Sequence, residues 1–448
     1  MRIFQRILRA GTLCAALSTS VACLLDLPQS LAHEGEHPVK SFTAKEQHRP
    51  TPLPDRVVLT WSADPKTSID ITWRTDTTTS EPVVEFAKAD ELRGNLRDGV
   101  PESRRTDGSK REFKSDLGVS SVNSARLEGL EPATMYAYRV GDGRHWSEWF
   151  QFRTASAISE PFTFVYFGDA QNNIRSLWSR VIREANQHAP RAAFMLHAGD
   201  LINSDNSDAE WGEWFGAGGW LNGMIPTVAT PGNHEYDDDD RLSRHWRPQF
   251  AFPTNGPEGL EETVYWFDYQ GTRIISLNSN ERIKVQRDWL RSVLSDAGRP
   301  KWTIVTFHHP IFSAASDRDN PELRAAWRPT LEEHGVDLVL QGHDHAYARS
   351  GLGGPKNVPE GVRRKSSNTV YVVSVSGPKL YKLQKMWDVS RAASGVQLFQ
   401  VIHVAPERIR YEARLATGAL YDAFSLEKDE NGKSSLIEQV PDTDEIRS

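Results

Sequence analysis

The sequence predicts a mixed α/β (α+β) chain with an N-terminal β-sandwich and a larger layered domain in which helices flank two sheets. Three observations predict it. Residues 55–154 alternate apolar and polar positions in short runs, separated by Gly, Asp, Pro and Thr clusters. Residues 161–427 alternate short apolar runs with stretches of helical period. In that second region, Asp, Asn and His recur just past the apolar runs, where open α/β sheets place their ligands.

The chain has 448 residues, enough for two or three domains. A formal net charge of −7 supplies no overall positive field, so no nucleic-acid partner is expected. With 14 Trp, some indoles are expected to line clefts. Residues 1–32 read as an export signal: Arg2 and Arg6 lead, an apolar segment from Leu13 to Leu25 follows, and Ser30-Leu31-Ala32 fits small-residue cleavage. That segment is too short and too interrupted by Ser and Thr to span a membrane comfortably. The expected location is therefore periplasmic or extracellular. A competing reading is lipid anchoring at Cys23, after Ser20-Val21-Ala22. Cys14 and Cys23 are the only cysteines, and both lie in this segment. A mature chain then has no disulfide, no thiolate ligand and no cysteine nucleophile. Residues 33–54 are polar and read as a flexible leader, with His33, His37 and His48 solvated.

The sandwich strands come next. Arg56 to Trp61, Ser68 to Arg74 and Val83 to Ala87 alternate in character. Leu130-Glu131-Pro132-Ala133-Thr134-Met135-Tyr136-Ala137-Tyr138 resembles the tyrosine-corner strand of fibronectin type III sandwiches. Nothing here clusters as chemistry, so the expected role is support. Ala155 to Pro161 links to the second domain. There Ile174–Gln187, Ile283–Leu294 and Leu323–His334 carry apolar residues at helical spacing, the last two with Gly298 and Gly335 as stops. Strands are expected at 162–167, 192–196, 227–230, 263–269, 273–278, 302–307 and 336–340. Further strands at 369–376, 396–404 and 408–414 read as a second sheet completing the domain. Residues 428–448 read as a flexible tail.

The chemistry lies in five short blocks, each after a strand-like run: Gly168-Asp169, Gly199-Asp200, Gly232-Asn233-His234-Glu235, Val305-Thr306-Phe307-His308 and Gly342-His343-Asp344-His345. Neighbouring strand ends lie about 5 Å apart, so such residues can surround one point. Carboxylates suit hard cations and imidazoles suit Zn, Fe or Mn. Two metals about 3.5–4 Å apart need a shared ligand, and together they supply hydroxide near neutral pH and neutralise phosphoryl charge.

In this order, the five blocks resemble those of the purple acid phosphatases, within the calcineurin-like metallophosphoesterases. The resemblance covers nearly the whole chain after the leader. It extends to the closing segment, Val372 to Pro378 through Ala416 to Phe424. It implies a two-sheet αββα catalytic domain and a secreted phosphatase that hydrolyses phosphate monoesters of small molecules with a metal-activated hydroxide. It also implies a site of two metal ions (Fe, Zn or Mn). Asp169 and His345 would hold the first and Asp200 would bridge both. Asn233, His308 and His343 would complete the second. His234 would contact phosphate and aid departure of the alcohol. His309, one past the register, reads as supporting rather than ligating.

Departures from the family pattern matter. The metal-bound Tyr falls at Asn203, so a purple colour is not expected and a divalent ion is favoured at the first site. Related metallophosphoesterases place a His two after the first Asp; here Gln171 stands there and is not expected to replace the missing donor. The downstream substrate-gripping His pair of plant members is absent from 313–321, leaving Asp317 and Arg318 as stand-ins. Asp237 to Asp240 read as a solvated acidic loop, which would repel highly anionic substrates if it overhung the metals. Gly351 to Ser367, with Lys356, Arg363, Arg364 and Lys365, reads as a solvated hairpin. Two rival functions remain: a phosphodiesterase using the same blocks, and a binding module with a weakened site.

Overall fold

Of the chain, the computed structural model describes residues 41–92, 103–358 and 368–447. The export segment with both cysteines, His33, His37, Arg363, Arg364 and Lys365 lie outside these. No helix among the described residues is long and apolar enough to cross a membrane.

From Asp55 the chain builds two four-stranded antiparallel sheets. One runs Asp55–Thr60, Ile69–Thr75, Val119–Leu127, Ser109–Lys114; the other Arg104–Asp107, Val83–Lys88, Met135–Gly141, Phe150–Arg153. Ile71, Leu127, Val84 and Val140 are buried in one core. Alternation decides which face of each strand turns inward. The Tyr136 hydroxyl accepts the Glu131 N–H at 2.9 Å, closing the corner that the Tyr-x-Tyr strand promised.

The second domain holds two seven-stranded sheets. In the first, Thr227–Ala229, Met195–His197 and Phe162–Phe167 run parallel. Leu398–Val404, Arg408–Leu415, Leu420–Lys428 and Ser434–Glu438 continue it antiparallel. In the second, Thr272–Ser276, Trp302–Thr306, Leu338–Gln341 and Val370–Val373 run parallel. Tyr265–Tyr269 edges one side; Tyr347–Arg349 and Arg391–Ala393 complete the other. Successive residues point to opposite layers. Ile274 and Ile304 enter the core shared with Phe164 and Tyr166, while Ile275 and Val305 meet Leu290, Val293, Trp327 and Leu331 of the helices Ile283–Leu294 and Pro321–Glu333. Strands covered on both faces read as near-continuous apolar runs, as Leu338–Leu340 and Val370–Val373 do.

Three expectations are corrected, and one element is added. The strands 369–376, 396–404 and 408–414 do not form one sheet: Val370–Val373 joins the second, whereas Leu398–Val404 pairs antiparallel with Phe162–Phe167 of the first. The tail is not free. Ser434–Glu438 pairs with Leu420–Lys428, Glu438 is bonded to the buried Arg349, and Glu445 accepts the Ala392 N–H. Nor is the leader wholly loose. Thr43 and Glu46 form a capping box on the short helix Ala44–Gln47, and the half-buried His48 ring packs over Gly212, where no Cβ obstructs it. Finally, a helix at Asp208–Gly218 was not expected. It is capped by Ser207 and buries Trp211, Trp214 and Phe215, but its three glycines lower helix propensity and hide it from periodicity.

This helix joins the domains. Asp208 Oδ1 lies 2.6 Å from Arg56 Nη1 and 3.3 Å from His245 Nε2, and Oδ2 lies 3.4 Å from Arg74 Nη1. Trp61 of the sandwich packs on Phe194, Phe267 and Tyr269. Burial pushes the Asp208 carboxyl up, but His245 and the two arginines outweigh it and hold it well below the usual carboxylate range. A depressed folded value contributes stability that is present above the unfolded carboxylate range and lost as pH falls through the folded one. We therefore expect Asp208→Asn to cost about 3–5 kcal/mol by leaving the buried Arg56 without a charged partner, while Arg74 keeps Asp55 at 2.7 Å. Urea melts should show that loss near pH 7, with the difference from wild type shrinking as pH falls below about 4.

Candidate metal centre

All five blocks sit at C-terminal ends of parallel strands. Phe162–Phe167, Met195–His197 and Thr227–Ala229 are followed by Asp169, Asp200 and Asn233; Trp302–Thr306 and Leu338–Gln341 by His308, His343 and His345. The two sheets thus deliver donors to one edge of the domain. Tight turns are needed so soon after a strand. Asp200, His343 and His345 have φ of +52°, +73° and +41°, a region that costs non-glycine residues about 1–3 kcal/mol each and is kept where function requires it. Glycines allow the close approach. A Cβ on Gly342 would strike Asp169 Oδ1, and one on Gly232 would strike Asp200 Oδ1.

The six residues named as ligands converge in two groups that share Asp200. Asp169, Asp200 and His345 form one; Asp200, His308 and His343 the other, with donor atoms inside 4.8 Å of one another in each. Asn233 joins the second group: its Oδ1 lies 3.0 Å from His343 Nδ1 and 3.2 Å from His308 Nε2. His308 Nε2 also lies 3.2 Å from Asp200 Oδ2. In the first group, Asp169 Oδ2 faces His345 Nε2 at 3.1 Å.

The hydrogen bonds behind these atoms decide what they offer. His308 Nδ1 donates to the Ala198 carbonyl at 2.8 Å, and His345 Nδ1 to the Lys379 carbonyl at 2.9 Å. A carbonyl oxygen only accepts, so each Nε2 turns a lone pair into the site. At His345 that lone pair faces Asp169 Oδ2, a buried oxygen with no hydrogen-bond donor. A cation between them resolves this, and so the donor set fits metal ions. Burial pushes His345 down to about 4, in keeping with a neutral ligand. His308 differs: burial presses it down, but the Asp200 and Asp169 carboxylates lift it to about 9, so a proton competes with a cation at that nitrogen. Burial pushes Asp169 up, to about 8.

Glu235, fourth in the Gly-Asn-His-Glu block, had no role assigned from sequence. It is fully buried; Oε2 accepts from Asp200 N (2.9 Å) and Gly232 N (2.6 Å), and Oε1 from Leu201 N (2.8 Å). It ties together the two loops that carry Asp200 and Asn233. Burial, then the Asp200 charge, push it up to about 7. Asp344 does a similar task one block later, accepting from Ala314 N and Ala315 N at 2.5 and 3.2 Å. An acidic residue one or two positions after a named ligand was the available signal for both.

His234 stands over the site without joining the ligand groups. Its N–H donates to Asp200 Oδ1 at 3.0 Å, and its Nδ1 donates to the Asn203 carbonyl at 2.6 Å, which leaves Nε2 free. The Asn203 amide turns elsewhere, its Oδ1 accepting from Asn172 Nδ2 at 2.6 Å. His309 lies against the His343 ring, 4.2 Å between centroids, and bonds Ser279 at 2.8 Å. Arg318 donates to the His343 carbonyl at 3.1 Å and stacks on Tyr381; Asp317 is exposed. A cavity of about 580 Å³ opens beside Asn233 and His309, walled by Asp237, Asp240, Glu281, Asp319 and Glu322. The acidic loop therefore borders the cleft instead of standing apart from it.

Comparison with known proteins agrees with this geometry. Residues 54–154 match the family described as "Purple acid Phosphatase, N-terminal domain", and residues 162–347 match "Calcineurin-like phosphoesterase". An uncharacterised protein of Mycobacterium tuberculosis is 28% identical over 332 residues, covering 65% of this chain and 61% of that one. Purple acid phosphatase 18 of Arabidopsis thaliana is 27% identical over 313 residues, covering 66% of each. The chain thus spans just under two thirds of the length of these relatives. The fold matches that of a purple acid phosphatase from yellow lupin (Lupinus luteus) seeds, with a TM-score of 0.70 at 19% identity over 85% of this chain and 75% of that one. With both domain types in this order and all five ligand blocks at strand ends, the chain belongs to the purple acid phosphatase family of the calcineurin-like phosphoesterases.

Proposed function

We propose that this protein is a metal-dependent phosphatase that hydrolyses phosphate monoesters of small molecules at a dinuclear centre. The observation that carries the reading is the convergence of lone-pair-bearing atoms in two groups that share Asp200. Asp169 and His345 would hold one ion, Asn233, His308 and His343 the other, with Asp200 between. When bound, such ions lower the pKa of water and neutralise charge on the phosphoryl group. The protein's own part is positioning. His234 Nε2, oriented by the Asn203 carbonyl, supplies a proton to the departing alkoxide. Arg318, held on Tyr381 beside the histidine pair, offers a cation to the phosphate oxygens. With Asn203 in place of a phenolate, we assign divalent ions, Zn or Mn before Fe, and expect no charge-transfer colour. The five carboxylates along the cleft oppose substrates bearing several phosphates and suit a neutral or cationic leaving group.

We assign the mature chain to the outside of the cytoplasm on the charged and apolar pattern of residues 1–32. The tyrosine corner at Tyr136 supports a fibronectin type III-like ancestry for the sandwich. The test is elemental analysis of protein purified without added metal, together with turnover of mono- and bis-(p-nitrophenyl) phosphate. Two equivalents of transition metal and preference for the monoester are expected. Preference for the diester makes the protein a phosphodiesterase, and a metal-free inert protein makes it a binding module.

A further inference from the structure

Gln171 is fully buried behind Asp169, with its backbone N–H bonded to the Asp200 carbonyl at 3.1 Å. Its side-chain amide ends inside the first ligand group. Nε2 is 2.7 Å from Asp200 Oδ2 and 3.1 Å from His345 Nε2, while Oε1 has no partner. Asn203, at the position expected to carry a phenolate, gives its oxygen to Asn172 and contributes only a backbone carbonyl, to His234. The first group is thus left with Asp169, Asp200 and His345 as donors.

The two ends of a carboxamide exchange places by a half-turn about its last torsion. With nitrogen inward, the amide donates to Asp200 Oδ2 and His345 Nε2, covering lone pairs that a cation would use, and its carbonyl oxygen meets no donor. With oxygen inward, Oε1 takes its place among Asp200 Oδ2, His345 Nε2 and Asp169 Oδ2, all of them acceptors. Four acceptors aimed at one point are stable only around a cation, and an amide oxygen is a suitable neutral donor for a divalent ion.

We propose that Gln171 Oε1 is a ligand of the first metal and supplies the donor lost at Asn203. This reverses the expectation from sequence, which left the first site one donor short. The inference rests on the dinuclear reading above, but its test reads metal binding and not turnover. The full chain, stripped of metal, is titrated calorimetrically with Mn²⁺, and metal content is measured after dialysis. Wild type takes up two equivalents. Gln171→Leu, similar in size but without a donor, should keep one equivalent at wild-type affinity and bind the second at least about 10–100-fold more weakly. The retained equivalent reports that the variant is folded. Gln171→Glu, which restores an inward oxygen, should bind both at least as tightly as wild type. If Gln171→Leu binds two ions with unchanged affinity, or Gln171→Glu is as weak as Gln171→Leu, the assignment is overturned while the dinuclear reading stands. If wild type binds fewer than two ions, both fall together.

Discussion

Asp200→Ala is expected to lower kcat/KM for p-nitrophenyl phosphate by more than about 10³-fold and to strip metal from both sites. Among the described residues no other belongs to both candidate ligand groups, so its loss removes a donor from each at once. It also leaves the His234 N–H without its acceptor, Oδ1 at 3.0 Å, and so loosens the group placed to assist the leaving alcohol. The backbone at this position is held independently by the two Glu235 oxygens, so the fold should survive the change. Circular dichroism should therefore match wild type while metal content falls toward zero. Turnover within tenfold of wild type would remove Asp200, and with it the shared centre, from the reaction.

His234→Ala should separate chemistry from metal binding. Because Nε2 is the free nitrogen and no ligand atom is lost, both equivalents of metal should remain. General acid assistance is worth about 10²–10⁴-fold where the leaving group needs a proton. An alkyl phosphate such as glycerol phosphate should lose that much in kcat. p-Nitrophenyl phosphate, whose phenolate departs readily, should lose far less. An equal loss on both substrates would show that His234 binds phosphate without delivering a proton. A fall in metal content would show that it is a ligand.

Much of this was legible before any coordinates. Apolar runs that stop at Gly-Asp or Gly-His mark strand ends, and the carboxylates and imidazoles there announce a cation site. The five blocks therefore sit where periodicity put them. Tyr136 closes its corner for the same reason: a local pattern produced a local contact. The failures share a different cause. The helix Asp208–Gly218 is stabilised by burying Trp211 and Trp214 and by Arg56 and Arg74 on Asp208, and none of that appears in its own glycine-rich stretch. The tail looks mobile because its polar residues find partners, such as Arg349 for Glu438, that lie 89 positions away.

By itself the sequence determined the candidate donors, their order, and their places at strand ends, because those follow from residue chemistry and from periods of two or four residues. Only the tertiary structure decided which strands share a sheet, that Glu235 braces two loops, which nitrogen of each histidine faces inward, and that Gln171 turns its amide into the first site. Each of these depends on what a backbone carbonyl or a buried charge from a distant segment does at close range, and local spacing carries no record of that.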